Sequence, residues 1–210
     1  MFSHKPFTQL LTLSLCAASS LLTAAEVSEP KPCTREEAVD QSWTREFENE
    51  SVIIPISETL QWVIPGVSKA ELTFSKLQGD SETDSILIVG TLGGFEAKLF
   101  TLDSANVFAG TEFESDQEQI ASLHNLFMTH TPEGLVNNTD LSEKEFSPLV
   151  RFQAVSESED NIDFYGFVAS KDQILAGKIT APAAYSDYLN DLLAQIELVE
   201  VAVEAEEVTE

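Results

Sequence analysis

The chain changes its hydrophobic period several times, and each change marks an element. From Val52 the apolar positions favour strands. "SVIIPI" is a short apolar run ended by Pro55, and "LQWVIPG" is closed by the turn pair Pro65-Gly66. "KAELTFSKL" places Ala70, Leu72 and Phe74 on one side, with Leu77 slightly out of phase. "SILIVGTLGGFEAKLFTL" reads as two strands about Gly93-Gly94, a pair suited to a tight hairpin. The period then lengthens. In "ESDQEQIASLHNLFMTHTPEG", Ser115 and Glu118 have capping-box spacing. Ile120, Leu123, Leu126 and Phe127 fall within about 120° of arc, and Pro132 and Gly134 end the pattern.

Alternation returns in the last third. "LVRFQAV" sets Val150, Phe152 and Ala154 against Arg151 and Gln153. "IDFYGFVAS" has Ile162, Phe164 and Val168 on one face and Asp163, Tyr165 and Phe167 on the other, so both faces are largely apolar. "QILAGKITA" completes an antiparallel meander. Pro182 then opens a second helix, with Tyr185, Leu189, Leu192, Leu193 and Ile196 inside about 100° of arc. The predicted order is strands, helix, three strands, helix, an α+β class. A strand apolar on both faces needs cover on both. One amphipathic helix per face predicts an antiparallel sheet in a three-layer α/β/α sandwich. Helices on opposite faces make Tyr165 and Phe167 core; helices on one face leave them as a docking patch.

The expected organisation is a signal segment over residues 1–25, a polar lead-in over 26–50, one domain over 51–198 and an acidic tail over 199–210. In the lead-in, Thr34 and Glu37 have capping-box spacing for at most a short helix. The order of an amphipathic helix, a meander and "ITAP-x-x-Y" opening a terminal helix, over roughly residues 50 to 198, resembles the Mog/PsbP-like α/β/α sandwich proteins, with their small bacterial exported members. The resemblance implies a binding or assembly role and carries no site residue.

Lys5 precedes an uncharged apolar stretch from Leu10 to Ala25, shorter than the ~20 residues a spanning helix needs. Thr23 and Ala25 are small enough for cleavage before Glu26, which predicts export into a bacterial envelope, periplasmic or secreted. The competing readings are an uncleaved anchor and lipidation at Cys16, the latter weakened by Leu15 where a small residue is expected. Cleavage leaves Cys33 as a single thiol, either free or paired between molecules.

The formal net charge of −25 repels phosphate backbones and anionic lipid, so nucleic acid is excluded as a partner. With 43% apolar residues the chain can bury a core. Motif chemistry is thin. No nucleophile elbow, P-loop or dinucleotide fingerprint is present. His124 and His130 are six residues apart on one predicted helix, about 9 Å of rise, and read as partly exposed helix residues rather than metal ligands. Asp80, Glu82 and Asp84 alternate as in a calcium loop, but Ser85 and Thr91 stand where that loop needs Gly and Glu. Asn49 and Asn137 begin or sit in glycosylation sequons that matter only in a eukaryotic source. No catalytic, cofactor-binding or metal residue is nominated, and no cofactor is expected. Two functions stay open: an exported non-catalytic module binding a protein or small ligand, and a hydrolase with a carboxylate or serine site. A deep pocket of converging titratable groups favours the second; a shallow face lined by Tyr or Phe favours the first.

Overall fold

The computed structural model describes residues 39–77, 85–135, 141–158 and 160–201. The expected signal segment, the lead-in pair Thr34 and Glu37, Cys16, Cys33, the Asp80–Asp84 cluster, Asn137 and most of the acidic tail lie outside them. Strands take 50% and helices 22% of the described residues, which are therefore mostly β.

The apolar alternation becomes strands where it was expected: β2 (Val52–Pro55), β3 (Leu60–Ile64), β4 (Lys69–Leu77), β5 (Ser85–Leu92), β6 (Phe95–Asp103), β7 (Val150–Glu157), β8 (Asn161–Ala169) and β9 (Gln173–Pro182). Gly93 and Gly94 both take positive φ, 63° and 85°, and make the β5–β6 hairpin turn. Two strands extend the fold beyond the expected domain. β1 (Val39–Glu48) lies in the polar lead-in and pairs antiparallel with β4, and β10 (Glu197–Glu200) reaches into the acidic tail and pairs with β3. The short helix considered for the lead-in is not formed over Val39–Glu48. Trp43 and Phe47, four residues apart, suit one helix face and one strand face alike, and the strand wins through its ladder to β4 and the packing of Phe47 in the core.

A seven-stranded antiparallel sheet runs β1-β4-β5-β6-β9-β8-β7, and a three-stranded sheet runs β10-β3-β2. The helices are α1 (Ser104–Val107), α2 (Asp116–His130) and α3 (Ser186–Gln195). Ser115 caps α2, its hydroxyl accepting from the Glu118 N–H at 3.3 Å. Glu118 returns its carboxylate to the N–H of Glu114, one residue before the cap.

The α/β/α sandwich is therefore corrected. The two long helices do lie on opposite faces of the large sheet, but the second sheet supplies much of the cover. On one face Leu72, Phe74, Ile88, Leu99 and Phe164 pack against Trp62 and Ile64 of the small sheet and Leu189 and Leu192 of α3. On the other, Phe152, Phe167 and Ile174 pack under Ile120, Leu123 and Phe127 of α2. Short runs such as "VIIP" and "ELVE" each bury too little alone, and they bury their apolar side by forming a second sheet. Pro182 also departs from its expected place. It ends β9 at φ −58° and ψ 144°, and a single 3-10 turn, Ala183–Tyr185, separates it from α3. Tyr185 consequently leaves the buried face and is 45% exposed.

Candidate functional site

β7 is the end strand of the large sheet, and its main chain sets the site. The Ser158 N–H donates to the Asn161 carbonyl at 2.8 Å, closing the β7–β8 turn. Opposed residues in an antiparallel pair alternate between bonded and non-bonded. The register from that turn directs Phe152, Ala154 and Ser156 toward β8, and turns the N–H and C=O groups of Arg151, Gln153, Val155 and Glu157 outward. Lys144 agrees with this assignment, since its Nζ donates to the outward carbonyl of Arg151 at 3.3 Å. Among the described residues no main-chain group pairs with the outward side of Gln153 or Val155.

A cleft of about 340 Å³ wraps over this edge. Phe127, Phe152 and Lys144 line it on the α2 side. Arg151, Gln153, Asn190, Leu193 and Ala194 line it on the α3 side. Two cations therefore meet there in a strongly acidic chain, and no carboxylate, hydroxyl or thiol stands among the lining side chains.

The two cations have different employment. Arg151 donates from Nε to the Leu193 carbonyl at 3.1 Å and from Nη2 to the Ile196 carbonyl at 2.7 Å, satisfying the C-terminal end of α3. Burial lowers its pKa, and Glu197 partly offsets that shift. Lys144 makes no ion pair among the described residues; its ammonium lies 5.8 Å from the Phe152 ring centre. Its own carbonyl accepts from Gln117 Nε2 at 2.8 Å, which fixes this segment to α2. The side-chain oxygen of Asn190 is buried and finds no partner among the described residues.

Behind the cleft sits His124. It was expected to be partly exposed, and it is 6% exposed, with its ring 5.1 Å from Phe152 and 6.5 Å from Phe127. Its Nε2 has no partner among the described residues, and burial, then Lys144, holds its pKa below the usual histidine value. His130 packs edge-on against Phe100 at 4.5 Å instead, so the two histidines serve separate places. Among the described residues no group of three or more His, Cys, Asp or Glu side chains is placed to hold a metal ion. Because the helices take opposite faces, Phe167 is buried and Tyr165 packs against the same core. Neither forms the docking patch of the one-face alternative.

The site residues Lys144, Arg151, Gln153 and Asn190 were not nominated from sequence. Arg151 and Gln153 read only as the polar half of a strand. Elsewhere, Phe95, Tyr185 and Tyr188 cluster where the β5–β6 turn meets α3, with ring centres 4.7 to 6.5 Å apart. Their planes are tilted 58° to 85° from one another, so they pack as an anchor and present no flat platform. No family model, curated protein or solved structure matches this chain.

Proposed function

We propose that this chain is an exported, non-catalytic binding module whose ligand lies in the cleft over β7. The observation that carries the reading is the lining itself: aromatic rings, an ammonium, two amide side chains and open strand groups converge, and no hydroxyl, thiol or carboxylate side chain accompanies them. Such a set orients a ligand through hydrogen bonds and charge, with no carboxylate, hydroxyl or thiol in the lining to attack it. Export rests on Lys5, the Leu10–Ala25 stretch and the small residues Thr23 and Ala25. The partner is a protein or small ligand, and the acidity of the surface opposes nucleic acid.

A titration with benzoate, followed by amide chemical shifts, tests the cleft directly. Movement centred on Lys144, Gln153 and Asn190 is the expected result. Movement confined to other surfaces removes the site. Turnover of an ester, glycan or phosphate substrate, abolished by one carboxylate, serine or histidine substitution that preserves the fold, restores the hydrolase reading.

A further inference from the structure

We infer that the cleft takes an extended peptide by strand addition to β7, and that the peptide carries an acidic residue at the Lys144 end. This rests on the reading of the cleft as the binding site. The N–H and C=O groups of Gln153 and Val155 point out of the sheet, in the spacing a further strand uses. Lys144 guards the first outward carbonyl, at Arg151, through a long 3.3 Å bond. A lysine at a strand edge also protects against pairing with other chains. A carboxylate is the stronger partner for that ammonium, because both members of the pair are charged. A peptide bearing one there draws Lys144 off the carbonyl and frees the edge for its own N–H.

Charge sets the orientation of the acidic residue. Lys144 and Arg151 flank one end of the outward row and Glu157, which is exposed, stands at the other. An acidic residue is favoured opposite the first and opposed by the second. The net charge of −25 slows the approach of an acidic ligand, but exposed charges beyond about 8 Å are largely screened at physiological salt. The nearby ammonium then decides the contact. A second copy of this chain is a poorer occupant, since two chains of that charge repel and Arg151 is already committed to α3.

The test is an array of octapeptides of random sequence, probed with the purified chain. Acidic peptides should be enriched, with the acid near one end. Gln153→Pro removes one outward N–H and no ladder bond, which an edge strand tolerates; it should weaken binding at least about tenfold, and by clearly more than Gln153→Ala, which keeps the N–H and loses only the side-chain contact. Lys144→Glu should abolish the acidic preference. Slower hydrogen exchange at Gln153 and Val155 on adding an enriched peptide gives the same answer should Gln153→Pro fail to fold. Enrichment of basic peptides, or binding indifferent to Gln153→Pro with unchanged exchange, overturns the inference. Benzoate movement at Lys144 and Asn190 without any peptide binding overturns strand addition and leaves the binding cleft standing; if neither ligand acts there, both readings fall.

Discussion

The Arg151 guanidinium donates to the Ile196 carbonyl at 2.7 Å, joining the end strand of the large sheet to the last turn of α3. The second bond, to Leu193, makes the contact a fork across two carbonyls that have no partner within the helix. Hydrogen bonds from charged donors are worth about 1.5–3 kcal/mol. Arg151→Ala is expected to lower unfolding stability by about that amount in urea titration. Arg151→Lys should recover part of it only, because an ammonium lacks the planar fork.

Gly177 shows how closely two strands approach. A Cβ placed there would stand 2.7 Å from Leu99 Cδ2 and closer still to the Lys98 carbonyl on β6. Neither neighbour can yield cheaply, since one is ladder backbone and the other is core. Gly177→Ala should cost at least ~1–3 kcal/mol, the scale of an overpacked core, read as a lower denaturant midpoint.

The apolar arc of α3 separates burial from charge. Leu189, Leu192 and Leu193 are buried between helix and sheet, whereas Asp187 faces solvent. Leu192→Ala should destabilise the fold by ~2–5 kcal/mol, and Asp187→Ala by less than about 0.5. Equal effects in thermal melts would remove α3 from its place as a cover.

Local chemistry was legible in the sequence because it acts over a few residues. The Ser115 cap, the Gly93-Gly94 turn and the alternation of Val150, Phe152 and Ala154 all stand as read. Long-range pairing was not legible. β10 is four residues whose partner, Leu60–Ile64, lies far back in the chain, and nothing within "ELVE" names it. The site shares that difficulty. Gln153 matters because β7 is the end strand, and strand order is a property of the whole sheet that alternation does not encode. Asn190 and Lys144 come from a helix and a connection that meet only after the sheet has formed.

Export has its own measurement. Small residues at Thr23 and Ala25, followed by an acidic turn of composition, lead us to expect a chain beginning at Glu26. N-terminal sequencing of envelope material should read Glu-Val-Ser. A product that starts at Met1, or at a lipid-modified Cys16, would reject cleavage there.

His124 gives stability a pH dependence with a definite sign. Burial first, and then the Lys144 charge, lowers its pKa in the folded protein. The unfolded chain, near the ordinary value of about 6.5, therefore binds its proton at higher pH than the native state does. Stability rises with pH wherever the unfolded state holds more protons. As pH falls below about 6.5 the fold should lose stability, and the loss should level off once the native ring protonates as well. His130 is lowered too, by burial and then Lys98, and adds in the same direction. Asp163 works in a different window. The Thr180 hydroxyl, which donates to it at 2.7 Å, and Lys178 outweigh burial and hold its carboxyl below the usual range, so its contribution fades only below about pH 4. His124→Leu fills the site with a side chain that cannot titrate. Urea unfolding of both proteins between pH 7 and about 5 should show a steeper loss in the parent chain than in the variant. Parallel curves would mean that His124 takes up its proton in the folded core as readily as in the unfolded chain.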